Sequence, residues 1–191
     1  MTTAMRHITL DAFLSLHQQS TRQRVIVWTT PEQTRAAIWQ TDLLATPLAR
    51  ALTSAAMWPE RAGAWVRHEA PPEARPRSAR LGDMLSDDSP WTLLSEEPAA
   101  LGLLWTPPAG AIKRPADEFV VFDEPGFAKV VWTLEAAPFG AGHALLTTET
   151  GTQTTDSITA RRFALMWPFI SPFAALLRRQ VLRAVKATAE A

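Results

Sequence analysis

Few side chains in this sequence have a type and spacing that could do chemistry. The four histidines, His7, His17, His68 and His143, are scattered. None forms a set with a second histidine or a carboxylate at helical metal-ligand spacing that supports a metal site. No Gly-x-Ser-x-Gly, P-loop or Gly-x-Gly-x-x-Gly is present, so the nucleophile elbow and both phosphate-cradling turns are missing. The chain has no cysteine and no tyrosine. Thiol nucleophiles, disulfides, thiolate metal sites and one common general acid are therefore excluded. No metal or cofactor is expected.

One carboxylate is of interest. The stretch "LLTTETGT" puts Thr147, Glu149 and Gly151 on one face of a strand. If the hairpin closes symmetrically about residues 139–142, Glu149 falls opposite Trp132 on an apolar face. Desolvation there would favour the protonated acid, fitting it for acid–base work or for binding a polar head group. A slip of one residue would send it to the other face, and an arginine such as Arg162 could neutralise it. Arg178, Arg179 and Arg183 read as a solvated helix end that complements the helix dipole. Asp87 and Asp88 read as the end of a short helix, and a metal role there has no supporting ligand.

The elements that must position these groups follow from pattern. Residues 10–19 suit a short helix. "RQRVIVWTT", residues 22–30, is rich in β-branched residues and reads as a strand over 22–29. Thr30, Pro31 and Gln33 form an N-cap, a first-turn proline and a capping box. A second helix is expected over 47–56. Residues 57–80 are rich in proline and arginine and read as a surface loop, with a lid over a pocket as the functional alternative. A short helix at 81–85 leads to a hairpin of strands 91–96 and 99–106. A second hairpin joins 127–137 to 143–154. On its first strand Ala128, Val130, Trp132, Leu134 and Ala136 share one face, which predicts one covered side and one wetter side.

The final segment sets a physical puzzle. Phe163, Met166, Ile170, Phe173, Leu177 and Val181 recur at spacings of 3, 4, 3, 4 and 4, a single apolar stripe. Yet Pro168 and Pro172 interrupt it, each costing roughly 3 kcal/mol inside a helix. Burying six such side chains offers on the order of 10 kcal/mol, so the segment can remain helical. The expectation is two helical pieces, 157–167 and 172–187, meeting at a bend that frees the Ala164 carbonyl. Asp156 or Ser157 would cap the first piece.

Composition narrows the classes. A chain of 191 residues that is 47% hydrophobic can bury a substantial core as a single domain, residues 1–191. Zero formal net charge argues against a nucleic-acid binder. The N-terminus lacks an apolar core of signal-peptide length, which reads as cytoplasmic. The longest apolar run, 163–177, falls short of the roughly 20 residues that span a bilayer, so no stable membrane insertion is expected. Nothing in the sequence sets the oligomeric state.

Three segments carry a resemblance: "VIVWTTPEQTRAAIW" (25–39), "FDEPGFAKVVWTLEAAPFGAGHALLTTET" (122–150) and "RRFALMWPFISPFAALLRRQVLRAVKATAE" (161–190). With the order of elements they resemble the START-like, helix-grip superfamily (SRPBCC), which includes polyketide cyclase-like and lipid-transfer domains, and within it a little-characterised bacterial branch. The resemblance implies an α+β fold: a curved antiparallel sheet wrapped around the proline-bent C-terminal helix, with an apolar cavity between them. Trp28, Trp105, Trp132, Met166 and Ile170 would line that cavity, with Thr147 and Glu149 as its polar groups. Each of the five apolar residues is by type more often plain core than ligand contact, and Glu149 more often structural or exposed. The function expected first is binding of a hydrophobic or amphipathic small molecule or lipid. The alternatives are a cyclase or dehydratase using Glu149, and a membrane-surface protein using 163–177 as an interfacial helix.

Overall fold

A computed structural model describes residues 8–15, 18–46, 50–51, 78–106 and 110–191. The expected helix over 47–56 and loop over 57–80 fall almost entirely outside the described residues. The elements are α1 (Ile8–Asp11), β1 (Gln19–Val27), α2 (Pro31–Gln40), a 3-10 turn (Gly82–Leu85), β2 (Thr92–Ser95), β3 (Ala99–Thr106), β4 (Gly110–Ile112), α3 (Ala116–Val121), β5 (Ala128–Phe139), β6 (His143–Thr154) and α4 (Ser157–Ala189). The fold is α+β. Six strands form one antiparallel sheet in the order β1-β6-β5-β3-β2, and β4 also pairs with β3.

Its centre is the β5–β6 hairpin, paired from Phe139↔His143 to Ala128↔Thr154. The connection needs Gly140 and Gly142, whose φ angles of 63° and 77° resist any residue with a Cβ. The chain enters α2 as its capping residues dictate: Thr30 Oγ1 accepts from the Gln33 amide at 3.3 Å, and Pro31 opens the first turn.

Alternation sorts the sheet into two faces. On the inner face Val27, Leu101, Leu134, Ala136, Ala144 and Leu146 pack against Ala37 and Ile38 of α2 and Val181, Leu182 and Val185 of α4. On the outer face Leu104 and Val131 pack against Leu10 and Leu14 beside α1 and Phe119 of α3. The expectation of a wet second side is corrected: Lys129, Val131 and Thr133 are buried there. Two glycines make this possible. A Cβ at Gly102 would lie 2.8 Å from the Phe119 ring, and one at Gly151 would lie 2.9 Å from Leu10.

The C-terminal segment is not two helices. α4 runs unbroken for 33 residues with Pro168 and Pro172 inside it. The carbonyls these prolines leave without an N–H partner belong to Ala164 and Pro168, both exposed residues, where water can take the freed oxygens. Both ends of the helix are fastened. Asp156 caps the N-terminus, accepting from Ile158 N (2.8 Å), Thr159 N (2.9 Å), Thr159 Oγ1 (2.6 Å) and Gly126 N (2.7 Å). At the C-terminus Lys186 Nζ donates to the Ile26 carbonyl at 2.6 Å, and the Trp28 amide donates to Glu190 at 2.7 Å. The middle is less embedded than the apolar stripe predicted. Phe163 and Val181 are buried, but Ile170 is 39% and Phe173 50% exposed.

Candidate functional site

The site that the geometry brings forward centres on Arg178. The sequence pattern placed it on a solvated face, but it is 4% exposed, turned from α4 onto the sheet. Its Nη1 donates to Thr150 Oγ1 at 3.3 Å. Nε and Nη2 have no hydrogen-bond partner among the described residues. Burial pushes its pKa down from the ordinary value, yet a guanidinium keeps its proton throughout the physiological range. The position therefore holds a cation that has lost water and gained one neutral partner.

The sheet beneath it is polar in an unusual way. The inner-face row across three strand pairings reads Thr21, Thr150, Trp132 and Leu101. Neighbouring inner positions on β1 and β6 are Gln19, Gln23, Thr148 and Thr152, by the same registers. No Asp or Glu occurs at an inner-face position of β1, β3, β5 or β6. Gln23 Nε2 donates to the Ala175 carbonyl of α4 at 3.1 Å. Gln19 Oε1, Thr21 Oγ1 and Gln23 Oε1 are buried without a partner among the described residues. Such groups are normally satisfied, because each costs about 1–3 kcal/mol when left unmade.

One strand over, the surface becomes aromatic. Trp132 Nε1 donates to Thr148 Oγ1 at 2.8 Å, and its ring meets Trp91 edge-on at 6.3 Å. Trp105 meets Phe163 at 6.4 Å, and Phe163 meets Trp167 of α4 at 5.5 Å. Leu103, Trp105, Val130 and Trp132 are only half-buried. An apolar aromatic wall thus adjoins a hydrogen-bonding patch headed by one cation. That is the arrangement a molecule with an apolar body and a polar head would need.

Of the residues expected to line a cavity, Trp105 and Trp132 are on this wall and Met166 is half-buried on α4. The others are placed differently. Trp28 is 64% exposed, with its ring 4.7 Å from His143 and 5.8 Å from Lys186 Nζ, at the far end of α4. Ile170 points partly to solvent. Thr147 and Glu149 lie on the outer face, because Glu149 pairs with Thr133 and Trp132 pairs with Thr150. The hairpin is one residue out of the expected register, and that slip exchanges the two faces. Glu149 accepts two 2.9 Å bonds from Arg22 Nη2, and Arg162 stays exposed.

A groove of about 580 Å³ lies elsewhere, between α2 and the start of β3. Ile38, Trp39, Ala99 and Leu134 contribute to it, and none of the seven expected residues does. Its cation is already engaged, since Arg35 pairs with Glu32 at 3.1 Å and Glu97 at 3.3 Å. No cluster of metal-ligating side chains occurs among the described residues.

No protein-family model, curated protein or solved structure matches this chain.

Proposed function

We propose that this protein is a binding domain for an amphipathic small molecule with an anionic head, held between α4 and the inner face of the sheet. The head group would bond to Arg178, with Thr21, Thr150, Gln19 and Gln23 as neutral partners, and the body would lie along Trp132 and Trp91. The reading rests on one observation, the buried Arg178 guanidinium with two unengaged nitrogens facing a sheet that offers it no carboxylate. An ionic hydrogen bond in such a setting is short and strong. Helix-grip architecture of the START-like kind accords with an antiparallel sheet and a long last helix. The acid–base enzyme reading is not favoured, since Glu149 is on the opposite face and doubly bonded to Arg22.

The test compares two fluorescent probes that share an aromatic body: 8-anilinonaphthalene-1-sulfonate, which is anionic, and N-phenyl-1-naphthylamine, which is neutral. Wild type should prefer the sulfonate, and Arg178→Met should reduce that preference roughly 10- to 100-fold, the equivalent of one charged hydrogen bond. An unchanged preference in a folded Arg178→Met variant removes Arg178 from the site and ends the proposal. Native mass spectrometry of freshly purified wild type should in turn show a co-purified acidic small molecule.

A further inference from the structure

The outward side of α4 carries a second pattern, independent of Arg178. Ile158, Leu165, Phe169 and Leu176 recur at spacings of 7, 4 and 7, a single line along a helix of 3.6 residues per turn. They are 63%, 75%, 77% and 42% exposed, and Phe173 beside them is 50% exposed. A monomer in water has no reason to align five large apolar side chains on its surface. Arg161, Arg162, Arg179 and Arg183 flank this line, and all four are exposed. α4 holds six cations, Arg161, Arg162, Arg178, Arg179, Arg183 and Lys186, and not one Asp or Glu, although the chain as a whole has zero formal charge. The excess positive charge is thus gathered on the helix that also exposes the apolar line.

We infer that this face of α4 docks on the surface of an anionic lipid bilayer, lying in the plane of the interface. The apolar line enters the headgroup boundary while the arginines reach the lipid phosphates from either side, as amphipathic interfacial helices do. Charge complementarity selects this occupant. A second copy of the chain would set four arginines against four arginines, and a nucleic acid would leave the phenylalanine and leucines uncovered. Among the described residues no helix is long and apolar enough to cross a membrane, so the contact is peripheral. Pro168 and Pro172 fit such a contact, because their orphaned carbonyls stay at the wet interface rather than in hydrocarbon.

The experiment is flotation of the full-length chain with large unilamellar vesicles, either phosphatidylcholine alone or phosphatidylcholine with 30% phosphatidylglycerol. Wild type should float with the anionic vesicles, bind the neutral ones far less, and be released by salt. Phe169→Asp should abolish flotation. Arg162→Gln and Arg179→Gln should each weaken it about fivefold. Circular dichroism checks that each variant is folded, and since these side chains point outward none should unfold the protein. Equal binding to neutral and anionic vesicles, or wild-type flotation by Phe169→Asp, overturns the proposal. So does a concentration-dependent dimer that Phe169→Asp disrupts while flotation is absent, which would assign the face to a second copy. Arg178→Met should float like wild type, so failure of the small-molecule reading leaves this one standing.

Discussion

The two faces of the sheet each bury a charge against β6, and they treat it in opposite ways. On the outer face Glu149 is met by Arg22, with two 2.9 Å bonds to one nitrogen. On the inner face, one residue along the same strand, Thr150 gives Arg178 a single 3.3 Å contact. The outer charge is closed off by its own structure. Among the described residues the inner charge has one hydrogen-bond partner, a neutral hydroxyl. A buried pair is a structural feature whose loss is felt as instability, whereas a buried cation with no counter-charge among the described residues is a candidate for function. The difference identifies which of the two is available to a ligand, and it is not the residue whose chemistry first drew notice in the sequence.

Breaking the comparison begins with the closed pair. Arg22→Met takes the Arg22 cation and its two bonds from the buried Glu149 carboxylate, and the expected loss is on the order of 3 kcal/mol in urea unfolding. The same change on the other face should behave differently. Arg178→Met removes a charge that has no carboxylate partner among the described residues and retains most of the side-chain volume. Its stability should fall within about 1 kcal/mol of wild type or exceed it. Equal losses at both sites would erase the contrast between them.

Much of this was readable from residue types, and each failure has its own physical cause. β6 was bounded correctly at His143–Thr154 because turn chemistry and β-branched content agree there. The Thr30–Gln33 capping box was legible for the same reason. Which face Glu149 occupies was not, since a period of two carries no information about register once a loop closes one residue tighter. The alternate threonines 148, 150, 152 and 154 were the available signal for a polar inner row. α3 was missed because six residues hold too little periodicity, and its place is set by the fit of Phe119 onto Gly102. Arg178 was misjudged by analogy with its neighbours: Arg179 and Arg183 are solvated, but a step of one residue turns a helical side chain by about 100°.

That fit gives the next test, directed at why the outer face is closed. A Cβ on Gly102 would stand 2.8 Å and 2.9 Å from Phe119 ring carbons and 3.0 Å from Leu94. Phe119 is fully buried, and its ring is rigid. Gly102→Ala should therefore cost about 1–3 kcal/mol by overpacking, despite the entropy that alanine saves in the unfolded chain. Gly151→Ala should cost less. Its clashes at 2.9–3.2 Å are with the flexible ends of Leu10 and Leu14. Unfolding curves that rank the two the other way would mean that α1, not α3, is the firmer cover.

The smallest effect concerns how α4 is held over the inner face. Asp156 has its pKa lowered to about 2, chiefly by the hydroxyl and amide of Thr159, with the Gly126 and Ile158 amides adding to it. The carboxylate is thus favoured in the folded protein relative to its ordinary value of 3.8. A depressed carboxylate contributes stability that is fully present above the unfolded pKa and is lost as pH falls through the folded one. The gap in melting temperature between wild type and Asp156→Ala should be a few degrees and constant from pH 7 to 5. It should then close as pH drops from about 4 to about 2. A gap that stays constant down to pH 2 would mean that the cap acts through its neutral oxygen alone. Because the same carboxylate also holds the Gly126 amide, the variant should loosen the 125–126 turn together with the first turn of α4. Hydrogen exchange would report this as faster exchange at Gly126 and Thr159, while the amides near Val181 and Val185, buried at the other end of the helix, keep their protection.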